Sequence, residues 1–420
     1  MSNSPVVGSI AADILIIGAG PGGYRAAEYA AKQGLQVVVV EQDEVGGTCL
    51  NRGCIPTKTY VHSANFAEAY ERQKQVVEQL RTGVEGILSV PGITLLRGHG
   101  EFRDAHTVAV SGSDGGQTLV TSKNVIVATG SSAKLLPLPD ISDPRVVTST
   151  ELLQLSVLPK RLAIIGAGVI GMEFASVFQR FGSEVMVIEY LKECLPMLDS
   201  DIAKRLRKLL EKRGITFRMK TAVQTLADID ADVILMATGR RPNVSDDFRN
   251  AGFVYDERQG IKVDDNYQTT VPGIYAIGDV NGRQMLAHAA ERQAVRAVNH
   301  ILGRSDGIRF DIMPAAIFTD PEAACVGPAE DQLKASGIDY RCHKAFWRAN
   351  GKALAMNQPE GMLKLFADQQ DHIIGCHAFG THAADIVQEV SVLMCCNATI
   401  AQLHDMVHMH PTLGEVLVNN

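Results

Sequence analysis

An arrangement of strand, glycine turn, helix, strand and acid occurs twice in this 420-residue chain, and no other feature limits its fold so strongly. Asp13 to Ile17 form an apolar run, followed by Gly18-Ala19-Gly20-Pro21-Gly22-Gly23, an alanine-rich stretch to Gly34, and a second apolar run from Gln36 to Val40 closed by Glu41. The pattern returns as Leu162 to Ile165, Gly166-Ala167-Gly168-Val169-Ile170-Gly171, a helical stretch to Phe181, then Glu184 to Ile188 and Glu189. The leading glycines stand 148 residues apart (166 − 18), and a further strand ends at Thr129-Gly130 after the first copy and at Thr238-Gly239 after the second. Whole nucleotide-binding domains are therefore duplicated.

Each glycine has a physical duty. Gly18 and Gly166 turn the chain tightly, Gly20 and Gly168 let the backbone approach a pyrophosphate, and Gly23 and Gly171 allow helix to pack closely on strand. The helix N-terminus then offers its unpaired N–H groups to the anion. In both copies an acid follows the last glycine by eighteen residues (41 − 23 and 189 − 171), placed to accept hydrogen bonds from a ribose diol. A carboxylate at Glu189 repels a 2′-phosphate, and no Arg follows it within ten residues, so the second site is expected to take NAD rather than NADP.

Composition narrows the class. The balance of 40 Lys plus Arg against 47 Asp plus Glu gives −7 with no basic block, which argues against a nucleic-acid partner. No apolar stretch reaches the roughly 18–20 residues of a membrane-spanning helix. The opening Met1-Ser2-Asn3-Ser4 lacks the positive region of a signal peptide, so a cytoplasmic enzyme with no membrane partner is the expectation.

Six of eight cysteines (Cys194, Cys325, Cys342, Cys376, Cys395, Cys396) follow no metal-ligand spacing and are expected mostly as packing residues. Cys49 and Cys54 differ, because they lie just past Glu41 and so beside the first nucleotide. A disulfide needs Cα atoms about 4.4–6.8 Å apart, whereas an ideal helix separates residues five apart by roughly 8.6 Å. A redox pair therefore requires a bent backbone, which Gly53 permits, with Pro56 suited to a first helical turn. Two unlinked core cysteines or half a zinc site are the other readings; zinc lacks a second ligand pair nearby, and no metal is expected.

Gly-Gly-Thr-Cys-Leu-Asn-Arg-Gly-Cys-Ile-Pro-Thr-Lys at 46–58 and Gly-Ala-Gly-Val-Ile-Gly-Met-Glu at 166–173 resemble motifs of the pyridine nucleotide–disulfide oxidoreductase family. So do Ala-Thr-Gly-Arg-Arg-Pro-Asn at 237–243, Ala-Ile-Gly-Asp-Val at 276–280, Met-Leu-Ala-His at 285–288 and His-Met-His-Pro-Thr-Leu-Gly-Glu at 408–415. The resemblance spans nearly the whole chain. It implies FAD at the first site, held by Gly18, Gly20, Pro21, Gly22, Gly23, Glu41, Gly47, Thr48, Thr129, Gly130 and Asp279. Cys49, Lys58 and the turn Met285, Leu286, Ala287, His288 would approach the flavin ring. NAD would lie on Gly166, Gly168, Ile170, Gly171, Glu189 and Gly239. Cys49 would be the interchange thiol and Cys54 the thiol facing the flavin, with Lys58 paired to Glu173 near N5. His410 would be the base, oriented by Glu415.

The implied fold is α/β: two Rossmann-like dinucleotide-binding domains, for FAD and NAD, plus a C-terminal α+β dimerisation domain. The expected division is 1–147 for the first part of the FAD domain, 148–247 for the NAD domain, 248–312 for the second, central part, and 313–420 for the domain that makes a homodimer. The implied activity is NAD-dependent oxidation of dihydrolipoamide carried by lipoyl-bearing subunits of 2-oxo acid dehydrogenase or glycine cleavage complexes. A glutathione-type reductase would carry basic residues where Glu189-Tyr190 stands, a mercuric reductase would end in a cysteine pair, and a soluble transhydrogenase would lack one redox cysteine. A flavin-loaded interaction subunit without turnover is the competing class, favoured by the chain's short length. Two segments look abbreviated: Thr221 to Asp230, where the family has a β-meander, and Glu71 to Gln75, read as a short connection after a helix ending near Tyr70. Cys395-Cys396 are expected on the interface helix.

Overall fold

The computed structural model describes residues 6–113 and 115–418; the opening Met1-Ser2-Asn3-Ser4 and the closing Asn419-Asn420 lie outside the described residues. The chain divides into two compact units. The first comprises residues up to Thr59, Glu68–Lys134 and Arg240–Ile308; the second comprises Tyr60–Ala67, Leu135–Gly239 and the chain from Arg309 onward.

In the first unit, strands run in the order Ile93–Arg97, Val37–Glu41, Val6–Ile17, Gln117–Val127, Thr107–Ser111, His99–Asp104, and Ile274–Ala276 also pairs with Gln117–Val127. The central strands are parallel, and all five residues of Val37–Glu41 are buried, as a continuous β-branched run inside a parallel sheet should be. Helix Pro21–Lys32 presents Ala26, Ala27 and Ala30, each fully buried, and these small side chains let helix Ala287–Ile301 pack against it. The helix after Gly46 is interrupted where bending was required. Gly47–Arg52 stops at Gly53, with φ −141° and ψ −112°, and Cys54–Val61 begins anew. A Cβ on Gly53 would meet the Thr48 carbonyl oxygen at 2.9 Å, so a larger residue would force the break open.

One expectation is corrected. Phe66–Leu88 is a single 23-residue helix, so Glu71 to Gln75 are helix interior and no connection begins near Tyr70. Good helix formers run through the segment, Lys74 lies 3.1 Å from Glu71 and its ammonium sits over the Tyr70 ring, which holds the turn together.

The second unit repeats the parallel pattern: Thr216–Arg218, Glu184–Ile188, Arg161–Ile165, Val233–Met236, Val146–Val147. Residues 219–232 contain no regular strand, and here the linker does more than connect. Asp140 accepts from Thr225 Oγ1 and from the N–H groups of Leu226 and Ala227, while Arg145 donates to the carbonyls of Leu226, Ile229 and Ala231. Leu136, Leu138 and Ile141 pack on the cluster of Leu226, Ile229 and Ile234. The abbreviated segment is thus a closed apolar plug.

An antiparallel sheet completes this unit, in the order Ala315–Ile317, Ala323–Val326, Ile373–Gly380, Gly361–Ala367, Arg341–Phe346, with helix Ala383–Cys395 against it. Cys194, Cys325 and Cys376 are buried, as packing cysteines should be, but Cys395 and Cys396, at the end of helix Ala383–Cys395, are exposed.

A buried charge cluster ties the two sheets of this unit. Lys364 Nζ, 3% exposed, lies 2.6 Å from Asp199 and 2.8 Å from Glu330. The Asp199 N–H donates to His377 Nδ1. Removing the cation leaves Asp199 charged in the interior, so Lys364→Met is expected to cost about 3–5 kcal/mol of stability, read from the fluorescence of Trp347, the one tryptophan. The Lys364 hydrogen bond holds the Glu330 carboxyl down at about 2, from an ordinary 4.5. The folded value lies below the unfolded one, so its contribution is complete above about pH 5 and is lost as pH falls toward 2. Acid unfolding curves of the wild type should show this slope, and those of Lys364→Met should lose it.

Candidate active site

The two glycine turns superpose in their dihedral angles as well as in their spelling. Gly18 has φ +103° and Gly166 +105°. Gly20 caps its helix at φ −71° and ψ −174°, Gly168 at −76° and −173°. A Cβ on Gly23 would strike the Gly18 carbonyl at 1.8 Å, and one on Gly171 the Gly166 carbonyl at 2.0 Å. Nothing lies within 4 Å of where a Gly168 Cβ would stand, which is the open approach a pyrophosphate needs. The acids match as well. Glu41 accepts from the N–H groups of Ala19 (2.7 Å) and Asp43 (2.9 Å); Glu189 accepts from those of Ala167 and Leu191, both at 2.7 Å. Each carboxylate is held by its turn with lone pairs to spare for a ribose. The residues present fit a dinucleotide at both turns.

Cys49 and Cys54, on either side of the Gly53 break, are thiols hydrogen-bonded to each other. That bond, then burial, pushes the Cys49 thiol up, while the Lys58 ammonium opposes the rise. Cys49 therefore keeps its proton at neutral pH, and a base is needed whenever its sulfur chemistry begins. Cys54 is the more exposed of the two. Tyr24, in the first turn of helix Pro21–Lys32, hydrogen-bonds with Glu291 within electrostatic reach of Cys49; burial, first, and that carboxylate push its phenol up to about 12.

Asp279 stands in the turn after Ile274–Ala276, where Ser131 Oγ donates to it and Arg240 lies 3.7 Å away. Burial lowers the Arg240 guanidinium, with Asp279 and Cys54 opposing. Gln293, fully buried, accepts from the Gly278 N–H at 2.7 Å and from Asn281 Nδ2 at 2.9 Å, fixing the backbone beside Asp279. Thr129 and Asn243 exchange hydrogen bonds of 2.8 and 2.9 Å, so the strand pair Ser131–Ala133 and Arg240–Pro242 clasps the chain where it leaves and re-enters this unit. Met285 and Leu286 lead into helix Ala287–Ile301, whose first turn contains Ala287 and His288. Sequence reasoning assigned no role to Tyr24, Ser131, Arg240, Gln293 or Asn243. The signals were the motif at 237–243, which contains Arg240 and Asn243, and Gln293, a polar residue among the alanines of a buried helix face.

In the second unit Glu173, 3% exposed, accepts from the Phe318 N–H at 2.9 Å. His410 Nδ1 lies 2.9 Å from Glu415 Oε1, and Glu415 also accepts from the Thr412 N–H. That backbone bond, then His410, holds the Glu415 carboxyl below its ordinary value. The bond to an ionised carboxylate assigns the imidazole proton to Nδ1 and leaves Nε2 able to accept one, on a side chain 80% exposed. His408, by contrast, is spent on Glu389 at 2.9 Å.

A dithiol adjoining one nucleotide turn, a second turn for another nucleotide and a carboxylate-held histidine define a flavoprotein disulfide oxidoreductase. Residues 12–294 match the family described as pyridine nucleotide-disulphide oxidoreductase, and 313–420 match its dimerisation domain, which supports a homodimer. The chain belongs to this family, whose cofactors are FAD and NAD. It is 37% identical to dihydrolipoyl dehydrogenase 1, mitochondrial, of Arabidopsis thaliana, over 98% of this chain and 90% of that protein. It is 35% identical to a leghemoglobin reductase of Glycine max, over 98% and 87%. Among solved structures, the HOCl-induced flavoprotein disulfide reductase RclA of Escherichia coli shares 31% identity with a TM-score of 0.91, covering 97% of this chain and 98% of that one. The Arabidopsis alignment spans 454 positions while 98% of 420 is about 412, so at least about 42 positions of the relative face a gap here. Among the described residues, no helix is long and apolar enough to cross a membrane.

Proposed function

We propose that this chain is a dihydrolipoyl dehydrogenase, oxidising protein-bound dihydrolipoamide with NAD and serving the lipoyl-bearing subunits of a 2-oxo acid dehydrogenase or glycine cleavage complex. The observation that carries the reading is the Cys49–Cys54 pair, mutually hydrogen-bonded across the Gly53 break on the unit that also holds Glu41 and Asp279.

With the pair oxidised, His410 of the partner subunit accepts a proton at Nε2 from one substrate thiol, and Glu415 stabilises the cation that forms. The thiolate attacks Cys49 Sγ; the Cys49–Cys54 bond breaks and Cys54 leaves as thiolate, its charge offset by Arg240 and Lys58. The second substrate thiol displaces Cys49, closing the lipoyl disulfide and leaving the enzyme dithiol. FAD, when bound, supplies the passage of that electron pair to NAD, so that dithiol and NAD⁺ become disulfide, NADH and a proton. Lys58 adds positive charge beside Cys49, and Gln293, Ser131 and Arg240 hold Asp279 in place.

The relatives that reduce other partners favour a second reading, the same dithiol acting on a different disulfide or haem protein. Anaerobic addition of dihydrolipoamide to the yellow holoenzyme separates the two. Bleaching of the flavin and formation of NADH on adding NAD are expected; a flavin bleached by NADH but untouched by dihydrolipoamide would move the substrate elsewhere in the family.

A further inference from the structure

The duplication supplies an internal control for nucleotide choice. Glu41 and Glu189 are held identically, yet their surroundings differ in sign. Past Glu41 come Asp43 and Glu44, and the basic residues nearby are already occupied: Arg52 pairs with Asp43, Arg81 lies 3.5 Å from Glu44, and Arg97 binds Glu85 and the Asp43 carbonyl. Around Glu189 the fold gathers cations from two places. Lys192 follows it in sequence. Arg218 ends the neighbouring strand Thr216–Arg218 and Lys220 lies in the turn just past it, where the Glu189 N–H donates to the Arg218 carbonyl (2.9 Å), the Thr221 N–H to the Glu189 carbonyl (2.8 Å) and the Lys220 N–H to the Leu191 carbonyl (3.0 Å). All three side chains are exposed, and the ion pairs of this neighbourhood run instead from Arg207 to Glu193 and Glu211. Three exposed cations are thus carried on backbone that is hydrogen-bonded to the Glu189 segment or follows it by three residues.

We infer that the second nucleotide site admits a 2′-phosphorylated dinucleotide as well as NAD, with Arg218, Lys220 and Lys192 neutralising the phosphate that Glu189 alone would repel. The rule that counted ten residues past Glu189 missed these groups because two of them lie about thirty residues on in sequence and one backbone bond away in space. NAD remains the better ligand, since the carboxylate still accepts from a free ribose diol. This inference rests on the proposed assignment of NAD to that site.

The test is reduction of the FAD holoenzyme by NADPH and by NADH, in separate anaerobic mixings at rising salt. NADPH is expected to reduce the flavin more slowly than NADH, and its rate should fall more steeply with salt, because more phosphate charge is being neutralised. In Arg218→Ala/Lys220→Ala the ratio of NADPH to NADH rate should drop about tenfold. A flavin that NADH reduces and NADPH leaves oxidised overturns the inference, as does a double variant with an unchanged ratio. Dihydrolipoamide read in parallel keeps the outcomes apart: a flavin responsive to both nucleotides but not to the dithiol sinks the proposed substrate and leaves this inference standing.

Discussion

Serine at Cys49 or at Cys54 is expected to lower dihydrolipoamide oxidation by about 10³-fold or more while FAD stays bound. A hydroxyl cannot form the mixed disulfide or receive the electron pair, so no partial route replaces the lost sulfur. Glu41, Ser131 and Asp279, proposed to hold the cofactor, are untouched, since their side chains bond with Ala19, Asp43, Arg240 and one another rather than with either thiol. Direct reduction of the flavin by NADH should persist in both variants, because that transfer does not pass through sulfur. Turnover within tenfold of wild type in either variant would rule out the dithiol mechanism.

The second large effect concerns His410. His410→Gln should cost about 10²–10⁴ in rate, and the loss should be recoverable by mixing. If the base serves the thiol of the other subunit, a dimer of one Cys49→Ser chain and one His410→Gln chain contains one site with both groups intact and one with neither. Random pairing makes half the dimers mixed, so about a quarter of the sites should work. Separately tagged chains show whether mixed dimers form; if they do and activity stays at the level of the parents, base and thiol belong to the same chain. Glu415→Gln tests the positioning of that base. Its carboxylate lies 2.9 Å from His410 Nδ1, so the variant should lose about tenfold or more in dihydrolipoamide oxidation while reduction of the flavin by NADH is unchanged.

Much of the site could be read before any coordinate was known, and particular residues show why. The glycines were legible because their duties are local: a positive φ at Gly18, a helix cap at Gly20 and a close approach at Gly23 are all met within six residues. The Gly53 break followed from the mismatch between disulfide and helix geometry. The helix through Tyr70 was misread because a shortened connection and an uninterrupted helix share the same charged, glycine-free spelling, and only packing separates them. Exposure of Cys395 and Cys396 depends on where helix Ala383–Cys395 ends, which its apolar composition does not mark.

What the sequence determined by itself was everything built from neighbours along the chain: two nucleotide turns, their acids, the bent dithiol and the histidine five residues from its carboxylate. Tertiary structure alone decided which distant groups complete them. Ser131 reaches Asp279 from 148 residues away, Arg240 reaches Ser131 from 109, and Gln293 grips the Gly278 turn, because the chain leaves the first unit after Lys134 and returns at Arg240 along an antiparallel clasp. The backbone of Arg218 and Lys220 comes beside residues 189–191 through a strand pairing that no local spacing encodes. Hydrogen bonds and screened charges act over a few ångströms, and only the folded backbone sets which residues stand that close.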